Sequence, residues 1–171
     1  MRYVLKLLLV LTWALWFGGQ ATLVILVVSL FRTDRDTAVR AGPVIFHVFE
    51  RYQLVLAALA MVGAAGLFFF LRRRVLLVIL ACLCLAAIGG IISMTKITPA
   101  MEDLWRQGKS EGPEFHALHQ RSSTVYRIEM ILLLVTGALL PAAITSRSDQ
   151  QGPPGAIRSE AGARDAIVPA T

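Results

Sequence analysis

Three side chains that could do chemistry open the second apolar stretch of the sequence: His47, Glu50 and Arg51. Residues three and four apart lie on one face of a helix, so an imidazole, a carboxylate and a guanidinium would stand side by side. Such a set can exchange protons, hold an anion or contribute a metal ligand. Because a charge at bilayer depth costs about 2.5–3.5 kcal/mol, we expect other segments to cover this face.

A second polar set lies in the first half of the last long stretch and includes His116, His119, Ser123, Arg127 and Glu129. At 100° per residue, these side chains fall within about half of a helix circumference. The first turns of this predicted helix are therefore amphipathic. Their opposite side carries Arg121 and Thr124.

Four long apolar stretches position both sets, and each exceeds the roughly 17 residues needed to cross a hydrocarbon core. They cover about residues 3–31, 43–71, 75–96 and 114–145. Backbone groups in lipid must be satisfied within their own segment, so these stretches are predicted helices. With 56% hydrophobic residues and a mean hydropathy of +0.66, the sequence predicts an all-α polytopic membrane protein.

The predicted domain organisation is one four-transmembrane-helix bundle over residues 1–145, in a lipid bilayer, followed by a disordered tail at 146–171. Polar connections are predicted at 32–42 and 98–113, and a very short turn at Arg72–Arg74. Pro43 is expected in the first turn of the second helix, where its missing N–H costs nothing.

Alternating crossings bring the ends of helices two, three and four to the same membrane face. We therefore predict one polar cluster there, with Glu50 and Glu129 paired to Arg51, Arg127 or Lys96. Its predicted members are His47, Glu50, Arg51, Lys96, His119, Ser123, Arg127 and Glu129. The alternative is a salt-bridge lattice that only locks the helix ends together.

Small and sulfur-containing residues within the stretches indicate packing. Gly18, Gly19, Gly89 and Gly90 would let helices approach closely. Gln20, the only strongly polar side chain in the middle of its stretch, is expected to face the bundle interior. Cys82 and Cys84 are two residues apart and point in different directions on a helix, so they are interpreted as small packing residues.

The formal charge of +6 is ordinary for a membrane protein with basic loops, and no interleaved aromatic and basic pattern argues for nucleic acid. Counting basic residues near the two faces gives six against seven, which does not decide the orientation. The tight Arg72–Arg74 cluster favours its side as cytoplasmic, with the histidine face extracytoplasmic, in a bacterial inner membrane.

The motifs WALWFGG, FERY, ITPAMEDLW and FHALHQRSS occur in this order around the four stretches. The sequence thereby resembles the transmembrane protein 205-like family, also filed as domain of unknown function 4149, over about Trp13–Leu140. The family pattern corresponds to Trp16, Gly18, Gly19, Arg51, Tyr52, Pro99, Met101, Phe115, His119 and Ser122 or Ser123. The resemblance implies a four-helix integral membrane protein with no established activity. The architecture is more distantly similar to copper-resistance protein D and HemJ-type proteins, in which histidines matter.

Three classes of function follow. The favoured one is a non-enzymatic scaffold or transport-accessory protein, with a homo-oligomer or another membrane protein as partner, because no set of catalytic residues is evident. The alternative is haem or copper binding through His119 or His47 with His116 or Met101. The third is a membrane enzyme using Glu50 or Glu129 as acid or base, with Arg51 or Arg127 holding an anion.

Overall fold

The computed structural model describes residues 1–109 and 112–145, apart from the side chains of residues 35, 36, 39, 40 and 43. These residues form five α-helices and one π-helical turn. The elements are α1 (Arg2–Thr33), α2 (Arg35–Leu71), α3 (Arg74–Ile92), the π-turn (Ser93–Ile97), α4 (Thr98–Arg106) and α5 (Pro113–Ile144). The predicted all-α fold is confirmed, while the predicted disordered tail at 146–171 lies outside the described residues.

Four segments are long and apolar enough to cross a membrane: Arg2–Thr33, Val44–Leu71, Arg74–Arg106 and Pro113–Ile144. Helix α1 packs against α2, α2 against α3, α3 against α5 and α5 against α1, which makes a closed ring of four. In this ring α2 and α5 stand diagonally opposite each other. The protein is therefore an integral membrane protein built as a four-helix bundle.

Small residues on α2 allow the tight packing of the bundle. Ala57, Ala60 and Ala64 are buried in one apolar core with Leu9. A Cβ atom on Gly63 would lie 3.2 Å from the backbone nitrogen of Leu9. Helices that approach this closely gain dispersion contacts, which drive association in lipid where no hydrophobic effect operates between helices.

The connection between α1 and α2 is shorter than predicted, because Asp34 alone separates them. The Asp34 carboxylate accepts a hydrogen bond from the Thr37 backbone N–H at 3.0 Å and another from the Thr37 hydroxyl at 2.6 Å. This cap satisfies a donor that has no partner within the helix. Helix α2 consequently begins eight residues before Pro43, which lies inside it.

The predicted loop after α3 is also largely helical. The π-turn continues α3 directly into α4, and Pro99 lies in the first turn of α4. Between α4 and α5, the described residues 107–109 and 112 are not helical.

Basic side chains at the opposite end of the bundle cap α5. Lys6 donates to the Ile144 carbonyl at 2.6 Å, and Arg73 donates to the carbonyls of Ala142 and Thr145 at 2.9 and 2.8 Å. The last carbonyls of a helix lack partners within it and carry partial negative charge. We call this end, with Arg72–Arg74, the arginine end, and the other, with the three histidines, the histidine end.

Candidate functional site

A buried carboxylate, that of Glu129 on α5, is bonded to two other helices. Its Oε2 atom accepts hydrogen bonds from the side-chain amides of Gln20 on α1 and Gln53 on α2, each at 2.9 Å. The exposed fractions of Gln20, Gln53 and Glu129 are 0%, 1% and 1%. The prediction that Gln20 faces the bundle interior is thus confirmed, and one carboxylate links three helices.

Two glycines on α3 provide the space for this arrangement. A Cβ atom on Gly89 would lie 2.9 Å from Glu129 Oε1, and one on Gly90 would lie 2.6 Å from Gln53 Nε2. Both distances are too short for a real side chain. The Gly89-Gly90 pair therefore allows polar groups from α2 and α5 to meet against bare helix backbone.

The glycines on α1 differ from one another in their surroundings. A Cβ atom on Gly19 would lie 3.3 Å from the Tyr52 ring and 3.4 Å from the Phe49 ring, which fits the predicted close packing. A Cβ atom on Gly18 would have no neighbouring atom within 4 Å among the residues that the structure describes. Gly18 is exposed on the outer surface of the bundle.

A second carboxylate, that of Glu50 on α2, is 3% exposed. Its Oε1 atom accepts hydrogen bonds from the Ser93 hydroxyl at 3.2 Å and the Thr98 hydroxyl at 2.6 Å. Ser93 begins the π-turn and Thr98 begins α4. Because the chain stays helical through this region, both hydroxyls reach the same oxygen from one continuous segment.

The two carboxylates belong to one site, because Glu50 lies one helical turn before Gln53 on α2, and Gln53 is bonded to Glu129. The Tyr126 hydroxyl is also buried, one turn before Glu129 on α5. We call this set of seven side chains the polar core. It comprises Gln20, Glu50, Gln53, Ser93, Thr98, Tyr126 and Glu129.

The depth of the polar core follows from the length of the apolar layer. About 20 helical residues span the hydrocarbon. Counted from the arginine end, that length reaches about residue 52 on α2, residue 94 on α3 and residue 125 on α5. The polar core therefore lies across the edge of the layer at the histidine end: Gln53, Ser93 and Glu129 are just inside it, while Glu50 and Thr98 are just beyond it.

The polar core contains no basic side chain. Within residues 1–109 and 112–145, no ion pair joins Glu50 or Glu129 to Arg51, Arg127 or Lys96, which are all exposed. The expected pairing is replaced by hydrogen bonds from amides and hydroxyls. Neutral donors satisfy a carboxylate without moving a second charge out of water, which in lipid carries its own desolvation penalty.

Several predicted cluster members lie outside the polar core. His47 and Arg51 are exposed and share a hydrogen bond of 3.1 Å between imidazole Nε2 and guanidinium Nη2. His47 lines an open groove of about 520 Å³ with Trp105, Glu102 and Arg106. Their position on the outer surface of α2 separates them from the buried carboxylates.

Of the predicted cluster members on α5, only Glu129 belongs to the polar core. His116 and His119 are exposed, and the His119 ring stacks parallel to the Phe115 ring at a centroid distance of 6.4 Å. Ser123 is half-buried. In the part of the chain that the structure describes, no three histidine, cysteine, aspartate or glutamate side chains are placed to hold a metal ion together.

Four members of the polar core do not belong to the predicted cluster: Gln53, Ser93, Thr98 and Tyr126. Gln53 carried a usable signal, because it follows Glu50 by three residues and therefore lies on the same helix face. Ser93 and Thr98 carried no such signal, because their relative position depends on the π-turn that begins at Ser93 and ends just before Thr98.

Unpaired polar atoms are concentrated in this region. Seven buried side-chain atoms have no hydrogen-bond partner among the described residues, and five of them belong to the polar core. These five are Gln20 Oε1, Glu50 Oε2, Gln53 Oε1, Tyr126 Oη and Glu129 Oε1. Buried polar atoms are normally paired, so this concentration distinguishes the polar core from a closed hydrogen-bond network.

The sequence matches a family model described as a domain of unknown function (DUF4149) over residues 11–110. This range contains five members of the polar core, while Tyr126 and Glu129 lie beyond it. No curated protein and no solved structure gives a match to the chain.

Proposed function

The chain belongs to the DUF4149 family, and we propose that it is a non-enzymatic scaffold or transport-accessory protein held together by its polar core. We further propose that it is related to the transmembrane protein 205-like proteins and resides in a bacterial inner membrane. The observation that carries the proposal is the bonding of Glu129 to Gln20 and Gln53. One side chain thereby fixes α1, α2 and α5 relative to each other, which is what a scaffold requires.

The contacts around the carboxylates support a structural role over an enzymatic one. An acid or base needs a substrate within hydrogen-bond reach. Glu129 and Glu50 instead use one oxygen each to bind side chains of neighbouring helices, and both are almost fully buried. Arg51 and Arg127, the anion-binding groups of the enzymatic hypothesis, are exposed and outside the polar core.

Haem or copper binding by His119 or His47 has less support. Both rings are exposed, His47 is hydrogen-bonded to Arg51, and neither is grouped with two further histidine, cysteine or acidic side chains in the described residues. A visible spectrum and a metal analysis of the purified protein test this alternative. A Soret band that is lost in His119→Ala would favour it over the scaffold.

Complementation at matched abundance tests the scaffold. Cells lacking the protein would be screened for a growth defect, and Glu129→Gln, Glu50→Gln and the exposed control Glu114→Gln would be reintroduced. A scaffold predicts that growth follows the amount of protein in the membrane, so raising Glu129→Gln to the wild-type level restores it. Failure of Glu129→Gln at equal abundance, with Glu114→Gln active, would contradict the proposal and favour a chemical role for the carboxylate.

A further inference from the structure

Four of the five donor groups of the polar core are already used, and the fifth is the unpaired Tyr126 hydroxyl. Both side-chain amide groups, those of Gln20 and Gln53, donate to Glu129 Oε2. The hydroxyls of Ser93 and Thr98 donate to Glu50 Oε1. Each carboxylate therefore has one satisfied oxygen and one, Glu129 Oε1 or Glu50 Oε2, without a partner.

The five partnerless atoms of the polar core are all oxygens. The amide oxygens of Gln20 and Gln53 are oriented away from the bonded amide nitrogens and are themselves unpaired, although both side chains are at least 99% buried. These two amides are independent of the acidic residues, and they present the same kind of atom. The polar core therefore has four unpaired acceptor oxygens against one unpaired hydroxyl, and this excess of acceptors attracts a positively charged partner.

Charge and ligand type together identify that partner. No basic side chain is bonded to Glu50 or Glu129 in the described ranges. Carboxylate, amide and hydroxyl oxygens suit hard cations such as Na⁺, Mg²⁺ and Ca²⁺, whereas copper and zinc favour nitrogen or sulfur ligands. Cys82 and Cys84 are not among the residues bonded in the polar core.

We propose that the polar core binds one hard metal cation between Glu50 and Glu129, with the amide oxygens of Gln20 and Gln53 as further ligands. The cation would neutralise charge that the bundle otherwise keeps buried, and it would join α1, α2 and α5 through a single centre. This goes beyond the proposed function, because a scaffold needs no bound ion.

Thermal stability of the purified protein in detergent measures the binding. The protein would be stripped of metals with a chelator and dialysed into choline chloride. NaCl, MgCl₂ and CaCl₂ would then be titrated separately, with choline chloride holding the ionic strength constant. A ligand that binds only the folded state raises Tm with concentration. We expect at least one salt to raise the wild-type Tm by about 2–4 °C or more, with saturation.

Two variants assign the effect to the site. Glu129→Gln removes one ligand charge while keeping the side-chain shape, and it is expected to abolish the shift. Glu102→Gln removes a carboxylate that forms a surface ion pair with Arg106 at 3.9 Å, and it is expected to keep the shift. A shift of equal size in Glu129→Gln, or no shift of the wild type with any of the three salts, would overturn the proposal.

A measurement on the wild type covers the case in which Glu129→Gln does not fold. A hydrophobic carbodiimide modifies carboxyl groups inside membrane proteins, and mass spectrometry locates the product. We expect the cation that raises Tm to slow modification of Glu129 and Glu50 several-fold relative to choline. Equal modification in all four salts would overturn cation binding, while the complementation result for the scaffold would remain valid.

Discussion

The side-chain amide of Gln53 donates to the Glu129 carboxylate at 2.9 Å across the diagonal of the bundle. Helices α2 and α5 are not neighbours in the ring, since each packs mainly against α1 and α3. This bond crosses the bundle interior and ends on the same carboxylate oxygen as the bond from Gln20. It fixes the rotation of both helices, because turning either one would leave a buried polar group without a partner, at a cost of about 1–3 kcal/mol.

Replacement of Gly90 by alanine tests whether the space on α3 is needed. The new Cβ would lie 2.6 Å from Gln53 Nε2, so the amide would have to leave its position against Glu129. We expect Gly90→Ala to lower the stability by about 1–3 kcal/mol, as overpacking does, measured as a decrease in Tm. Gly18→Ala is the matched control, because a Cβ there meets no described atom within 4 Å. Equal Tm values for the two variants would contradict the polar core geometry.

Replacement of Gly137 on α5 by alanine tests the packing of a glycine against a rigid side chain. The Trp13 ring lies directly over Gly137, and its indole N–H donates to the Leu133 carbonyl at 2.7 Å. An aromatic ring held by this bond cannot move aside like a flexible chain. We expect Gly137→Ala to lower Tm more than Gly90→Ala does. A measurement showing Gly137→Ala to be the milder variant would contradict the close packing of α1 on α5.

Sequence reasoning recovered the fold because the hydropathy of the four stretches is unambiguous. It failed at the connections, since the capping of α2 by Asp34 and the π-turn before Pro99 depend on local geometry that composition does not show. It identified both buried carboxylates and Gln20 from their cost in lipid. It assigned them basic partners because opposite charges are the simplest pairing, whereas the structure uses amides and hydroxyls that occur singly in apolar stretches.

Arg73 at the arginine end is predicted to hold the last turn of α5. Arg73→Ala removes two hydrogen bonds, to the Ala142 and Thr145 carbonyls, and we expect a loss of about 0.5–1.5 kcal/mol. Hydrogen exchange of the backbone amides near the end of α5 should become faster. The exposed neighbour Arg74 provides the control variant Arg74→Ala. Unchanged exchange in Arg73→Ala would show that this capping does not stabilise the helix.

The proposed orientation can be measured in cells with single cysteines at the two ends. Gln107→Cys lies at the histidine end and Tyr3→Cys at the arginine end, and both positions are exposed. Neither change alters the basic residues that direct insertion. With the histidine end extracytoplasmic, a membrane-impermeant thiol reagent added to intact cells labels Gln107→Cys but not Tyr3→Cys. The wild type controls for Cys82 and Cys84, and labelling of only Tyr3→Cys would reverse the orientation.

A double-mutant cycle between Gln53 and Glu129 tests the polar core most directly. The stabilities of the wild type, Gln53→Leu, Glu129→Gln and the double variant would be compared, with Gln53→Leu and Glu102→Gln as the reference cycle. Residues in one hydrogen-bond network show coupling of about 0.5–3 kcal/mol, whereas distant sites are additive within about 0.3–0.5 kcal/mol. We predict coupling in the first range for Gln53 with Glu129 and additivity for Gln53 with Glu102. Additivity in both cycles would contradict a polar core built on the Gln53–Glu129 contact.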